Sequence, residues 1–362
     1  PLVVVVVIAT ANRADLLRTR SLPSVVRQSH LPDVVVVVDD SDHAANVTAS
    51  EVCSGEGCTR LQAAALGVVD SKVRLRFLTN QRTKGASGAW NTGIQEAMQM
   101  LHDKQLAARS PADVFIAVLD DDDAWTDNHL QECVRLARTG ADQAVSGITR
   151  CDQTGQHNQS IPSLSMMWAH SFLTGNPHIQ GSNLFVRLSV LAMAGLFDES
   201  LTSCTDRDLM LRITDLNGPV GSGSGARLPK WTVLHYAADD IPRLSTKGSH
   251  AKLNGLSVFW YKHSSRYLGD TMIDFRRMTE VEKQMFCERA SKLFGWQPTT
   301  HATRSIQVGP APVVASLAVK ASPNLPDHTG IALVVGFVTD STSTKCRGLL
   351  ESLLALQVCS PV

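Results

Sequence analysis

The sequence predicts an α/β fold: a mostly parallel sheet with flanking helices. Two observations predict it. Over the first 120 residues, short β-branched runs alternate with helical stretches, and two of those runs end directly in carboxylates, at Asp39-Asp40 and at Asp120–Asp123. Strand–helix alternation implies parallel strands joined by right-handed crossovers. In such sheets ligands sit beyond the carboxyl ends of the strands.

Each element has its own signal. Val3–Ile8 is nearly continuous valine, which suits a strand buried on both faces. A helical segment follows from about Ala14 to Gln28, with Pro23 expected to interrupt it or to start a new turn. Val34–Val38 and Val73–Leu78 read as further strands, and Ala86–Leu101 as a helix. Val114–Leu119 is a fourth strand, running into the four aspartates. Beyond Asp123 the pattern is mixed. Asn183–Val186 and Trp231–Tyr236 read as strands, Leu188–Ala194 as a short helix ending at Gly195, and Asp208–Asp215 as helical. Leu256–Tyr267 and Thr279–Leu293 look like outer helices. The expected organisation is therefore a domain over residues 1–245 and a helical extension over 246–298. A Pro/Ala/Ser/Thr-rich linker over 299–330 follows. Ile331–Val338 and a helix from about Lys345 to Leu356 then start a second α/β unit, or form a terminal strand and helix of the first.

Composition narrows the class. Hydrophobic residues make up 43% of the 362, enough for a sizeable core. Lys+Arg and Asp+Glu both number 34, so no net charge steers the chain to nucleic acid or to an anionic membrane. No apolar run approaches the roughly 20 residues that span a bilayer, and Leu2–Ala9 is too short, and lacks the basic flank, for a signal peptide. Eight cysteines are scattered without the paired CxxC spacing of a structural zinc site. Free thiols point to a reducing, cytoplasmic setting. With no initiating Met, the sequence reads as a piece of a longer protein.

Four segments carry chemistry. Asp120–Asp123 place adjacent carboxylates at a strand end, where mutual repulsion raises their pKa values unless a cation sits among them. Hard oxygen ligands favour Mg²⁺ or Mn²⁺; the competing reading is a solvated acidic turn or a helix cap. Asp39-Asp40-Ser41 follows a buried strand, so Asp39 can accept hydrogen bonds from a base or ribose, or form an Asx-turn. Gly85–Gly93 places small residues at a helix start, where backbone approaches a ligand closely. The GxGxxG of a dinucleotide site is missing after the first strand. Thr205–Asp208 precedes a helical segment; one of its carboxylates can be a general base, and Asp208 suits capping or packing.

Together these segments resemble the family 2 glycosyltransferases of the GT-A (Rossmann-like) fold. Ile8–Arg13 is similar to that family's "PTYNR" element, with Ala9 and Ala11 in place of its Pro and Tyr. Val38–Ser41 is similar to "VDDGS", and Lys84–Gly93 to "GxSxARNxG" with Trp90 where Arg is usual. Leu119–Trp125 is similar to the "LDDDDxW" that contains the metal-binding DxD. Gly181–Phe185 and Gly195–Glu199 are similar to "GSNxxxR…GxFDE", and Thr205–Leu209 sits at "EDxDL" with Thr205 replacing Glu. The resemblance covers about residues 2–245.

It implies an inverting, metal-assisted transfer of sugar from a nucleotide-sugar, first of all a UDP-sugar, to an acceptor hydroxyl. The acceptor would be a glycan, a lipid-linked molecule or a small molecule. Asp206 is the implied catalytic base. Thr10, Asn12, Arg13, Asp39, Lys84 and Asp120 lie on the nucleotide side, and Asp122 holds Mn²⁺ or Mg²⁺, with His235 and Asp239 as possible further ligands. Arg243 is a third candidate near the diphosphate, and Gly181, Ser182 and Asn183 lie on the acceptor side. The alternatives are a degenerate, non-catalytic module that binds a glycan or partner, favoured by the changes at Ala9, Ala11, Trp90 and Thr205, and a sugar-nucleotidyltransferase. The latter usually carries a Gly-rich basic loop that Ala9–Arg13 lacks.

Overall fold

The computed structural model describes residues 2–41, 73–152, 157–161, 166–221, 223–236, 249–267 and 278–294. All lie within Pro1–Pro298, one of two units into which the chain divides. The expected linker and second unit, and Cys53 and Cys58, lie outside the described residues.

The α/β class expected from the sequence is the one observed. Strands β1 (Val3–Thr10), β2 (Val34–Asp39), β3 (Arg74–Thr79) and β4 (Val114–Asp120) form a parallel half-sheet in the order β3-β2-β1-β4. The other half is mixed. β8 (Leu184–Arg187) pairs antiparallel with β4 and with β6 (Gln143–Cys151), which runs parallel to β9 (Gly225–Tyr236). β5 (Asp123–Trp125) closes the far edge against β9, and β7 (His157–Ile161) pairs with β6.

The valine runs explain the parallel half. In β1, Val3, Val5 and Val7 enter one core, with Val34, Val36 and Val38 of β2. Val4, Val6 and Ile8 enter the other, with Val35 and Val37. Both faces are thus dry, which is why alternation disappears from the sequence. Each buried aliphatic side chain stabilises the fold by roughly 1.5–3 kcal/mol relative to exposure. One face is covered by a helical run comprising α1 (Ala14–Leu16), a π-helical turn Leu17–Ser21 and α2 (Leu22–Val26). Pro23 does not break this run, because it lies in the first turn of α2, where no N–H is required of it.

Helix α3 (Ala86–His102) covers the opposite face. A Cβ on Gly93 would collide with Val7 Cγ1, so the small residues of this stretch let the helix settle onto β1. Helix α4 (His129–Arg138) and strand β6 escape the sequence reading: α4 is short, and β6 buries Gln143, Ser146 and Thr149 among its apolar residues.

The remaining helices are α5 (Ala169–Thr174), α6 (Leu188–Ala194), α7 (Thr205–Asn217), α8 (His250–Lys262), α9 (Ser264–Tyr267) and α10 (Glu280–Phe294). Helix α6 ends at Gly195 in the left-handed conformation, as its sequence predicts. Helices α8 and α10 pack onto this body. A Cβ on Gly255 would lie 2.5 Å from the Ser203 backbone nitrogen. Phe259 and Phe286 are fully buried in the core. Among the described residues no helix is long and apolar enough to cross a membrane. Cys133, Cys151, Cys204 and Cys287 are unbridged.

Candidate active site

The registers of β1, β2 and β4 align the expected nucleotide residues along one sheet edge. Thr10 is opposite Asp39, and Ala9 is opposite Asp120. Asp39 is buried, and its Oδ1 accepts the N–H of Ser41 at 2.9 Å, the Asx-turn that its neighbours favour. Asp40 braces the next loop, accepting from Asn80 Nδ2 at 2.6 Å and from the Gly85 N–H at 2.7 Å. Gly85 has φ +125, a conformation closed to side-chain-bearing residues at low cost, and it starts α3. Lys84 beside it is exposed. Asn12 is also exposed and adopts φ +56, its N–H held by Ser41 Oγ at 2.7 Å. A non-glycine residue with positive φ at a strand end stores backbone strain of the kind that clusters at functional sites.

The four aspartates differ sharply from one another. Asp121 points inward, fully buried; its Oδ2 accepts from Thr10 Oγ1 at 2.7 Å and from Arg13 Nε at 3.1 Å, and its Oδ1 lies 2.7 Å from Arg13 Nη2 as an ion-pair contact. Burial pushes its carboxyl up to about 6 while Arg13 and Thr10 oppose the rise. Asp123 is also buried; its Oδ2 accepts from Ser182 Oγ at 2.7 Å and its Oδ1 meets His235 Nδ1 at 2.9 Å. Asp122 is 9% exposed and is reached by Arg13 Nη1 at 3.1 Å, while its carbonyl accepts from Arg20 Nη1 at 3.1 Å. Asp120 carries a carboxyl held well above the usual carboxylate range by burial and by Asp123, Asp122 and Asp121.

Asp120, Asp122 and Asp123 each offer an oxygen, and these atoms all lie within 4.8 Å of one another. An all-carboxylate set of that size, with the Asp120 carboxyl raised by burial and by its acidic neighbours, fits a hard divalent cation. Asp122 and Asp120 would hold it. Asp123, with both oxygens engaged, would support from behind, and His235 is linked to that cluster through Asp123. Asp239 and Arg243 lie outside the described residues.

The Gly181–Asn183 segment, expected on the acceptor side, is locked to the same turn. Ser182 Oγ accepts the Asp120 N–H at 3.1 Å while donating to Asp123, and the Ser182 carbonyl accepts from Trp125 Nε1 at 2.7 Å. Asn183 is fully engaged in holding its own loop: its Nδ2 donates to the carbonyls of Ser146 and His178, at 3.0 and 2.9 Å. Gly181 packs against the Trp90 indole, which in turn contacts Phe197 at 4.7 Å between ring centroids.

Asp206 lies in the first turn of α7, and its Oδ1 accepts the Arg207 N–H at 2.7 Å. Burial pushes its carboxyl up to about 6. Asp208 does not cap the helix. It is fully buried and accepts from Arg212 Nε at 2.9 Å, Lys262 Nζ at 3.1 Å and His263 Nε2 at 2.8 Å. Its role is therefore to fasten α8 to α7.

A family profile, "Glycosyl transferase family 2", matches residues 5–194, more than half of the chain. The chain belongs to glycosyl transferase family 2. The matched span includes β1 from Val5 onward, strands β2 to β4, the acidic turn and the Gly181–Asn183 segment, and the sheet is of the GT-A class. No curated protein matches the chain. Among solved structures, S. aureus TarS is similar at 14% identity and a TM-score of 0.47, over 82% of this chain. The chain spans 44% of that TarS chain, less than half its length. Residues 1-349 of TarS in complex with UDP-GlcNAc are similar at 15% identity and TM-score 0.48, over 82% of this chain and 74% of that one. The mannosyltransferase PcManGT from Pyrobaculum calidifontis, in complex with GDP-Man and Mn2+, is similar at 16% identity and TM-score 0.46, over 80% and 69%.

Arg20 was not singled out from sequence, and Asp123 was read there only as one of four adjacent carboxylates. Arg20 holds the Asp122 carbonyl and stacks 3.9 Å over the Tyr236 ring, and Asp123 joins the carboxylate cluster. The signal for Arg20 was its spacing: seven residues after Arg13, it returns to the same helix face.

Proposed function

We propose that this glycosyltransferase moves a sugar from a nucleoside-diphosphate sugar, with UDP as the first choice, to an acceptor hydroxyl, with inversion at the anomeric carbon. The observation that carries the reading is the carboxylate cluster of Asp120, Asp122 and Asp123 at the carboxyl edge of the parallel strands, with Asp39 on the same edge. Asp39 would recognise the base or ribose, with Thr10, Asn12, Arg13 and Lys84 on the nucleotide side. Asp122 would hold Mn²⁺ or Mg²⁺, with Asp120 supporting from the nucleotide side. Bound there, a divalent ion supplies Lewis-acid stabilisation of the leaving diphosphate.

Asp206 would take the proton of the acceptor hydroxyl. A carboxyl held near pH 6 is ionised at neutral pH yet more basic than an ordinary aspartate, which suits a general base. One base and no covalent intermediate give a single displacement, hence inversion. Gly181, Ser182 and Asn183 would frame the acceptor side. The test is a donor screen with Mn²⁺, scored by release of the nucleoside diphosphate and by the anomeric configuration of the product. Turnover undiminished in EDTA, or a product with retained configuration, would count against the reading.

A further inference from the structure

Arg13 holds its two acidic partners unequally. Its Nε and Nη2 both face Asp121, at 3.1 and 2.7 Å. That carboxylate is fully buried and is also fixed by Thr10. This side-on pairing, one hydrogen bond and one close charge contact, orients the guanidinium. The remaining nitrogen, Nη1, is thereby directed at Asp122 Oδ2, at 3.1 Å. The Asp122 side chain keeps 13% of its surface exposed, whereas that of Asp121 keeps none. One contact is an anchor and the other is exchangeable.

We propose that Arg13 is a tethered counter-ion for Asp122 that a divalent cation must displace. The inference rests on the metal reading above and deepens it. Without a metal, Nη1 neutralises the carboxylate that would ligate the ion. When the ion takes that oxygen, the guanidinium stays on Asp121, and Nη1 loses its acceptor beside the ion. The Arg13 side chain keeps 36% of its surface exposed, so Nη1 then turns to water, and an oxygen of the donor diphosphate offers it a charge-assisted bond in place of that water. Arg13 thus disfavours metal loading alone and favours loading together with the donor. It acts as a positioning residue through Asp122.

The test is Mn²⁺ titration of the whole chain by calorimetry, without nucleotide. Arg13→Gln alone strands the buried Asp121 carboxylate and risks the fold, so the comparison is Asp121→Asn against Arg13→Gln/Asp121→Asn. Thermal melts establish that both are folded. The double variant should bind Mn²⁺ about tenfold more tightly than the single one, the worth of one charge-assisted hydrogen bond that no longer has to be broken. Arg18→Gln removes a cation that pairs with Asp15 on the same helical run, and should leave Mn²⁺ affinity unchanged. Equal or weaker binding by the double variant overturns the proposal, since a merely structural role for Arg13 moves affinity in that direction. An equal gain in Arg18→Gln overturns it too, by reducing the effect to net charge. Absence of Mn²⁺ binding in every protein, with or without UDP, would remove the metal reading along with it. Mn²⁺ binding that is indifferent to Arg13 would remove this inference alone.

Discussion

Replacing Asp208 by Asn separates stability from catalysis in helix α7. Asp208 is fully buried and holds Arg212, Lys262 and His263. Burial alone would raise its carboxyl; His263, Arg212 and Lys262 overcome that and bring it from its ordinary 3.8 down to about 2. At about 1.4 kcal/mol per pH unit, the ionised form is favoured in the folded state by about 2 kcal/mol. Asn removes that contribution and leaves the partially exposed Arg212 and Lys262 facing each other, so the loss at neutral pH should be roughly 2–4 kcal/mol. For a domain of this size the melting temperature falls by roughly 2–4 °C per kcal/mol. Because the folded-state value is depressed, the contribution is fully present above pH 4 and is lost as the pH falls through about 2. Wild type and variant should therefore converge between pH 4 and pH 2. The assay is urea unfolding followed by tryptophan fluorescence at pH 7 and pH 3. A loss below about 0.5 kcal/mol at pH 7, or a gap that fails to narrow at low pH, would refute the pairing. Abolished turnover in a variant that keeps full stability would show that Asp208, not Asp206, is the base.

Asp206→Asn should retain nucleotide binding and lose transfer by roughly 10²-fold or more, the scale of a removed general base; in the wild type, transfer should climb with pH to a plateau above about 6, where Asp206 is ionised. Asp39→Ala should weaken UDP binding in a fluorescence or calorimetric titration, and equal affinity would remove it from the nucleotide site. Asp122→Asn should abolish the response of donor binding to Mn²⁺, and full activity after EDTA dialysis would show the acidic turn misread. Gly181→Ala should cost about 1–3 kcal/mol by overpacking, since its Cβ would lie 2.9 Å from the Trp90 ring, and an unaltered melting temperature would mean that the indole yields freely.

The parallel half of the fold was legible because its strands are extreme. Valine runs such as Val34–Val38 have few other structural uses, and they end in the residues that carry chemistry. The mixed half was not. Strand β6 contains Gln143, Ser146, Gly147 and Thr149, and its place between β8 and β9 follows from long-range pairing that no local window reports. The same limit applied to the site. The resemblance to the family implied Asp120 and Asp122 as the ends of one motif, whereas the structure buries Asp121 and Asp123 in two separate polar nests. That division depends on Thr10, Arg13, Ser182 and His235, which lie 59–112 positions away in the chain.

The Ser182 hydroxyl makes the acidic turn and the Gly181–Asn183 segment a single mechanical unit, since one oxygen both receives the Asp120 N–H and donates to Asp123. Neither segment shifts without breaking a bond to the other. Any ligand that moves one therefore meets a resistance set by the other, and thermodynamic reciprocity makes the exchange symmetric: whatever occupancy at the turn does to binding beside Ser182, occupancy beside Ser182 does to the turn by the same factor. Ser182→Ala removes both bonds made through that hydroxyl and leaves the one from Trp125 Nε1 to the Ser182 carbonyl, so two binding isotherms that depend on each other would become less strongly linked.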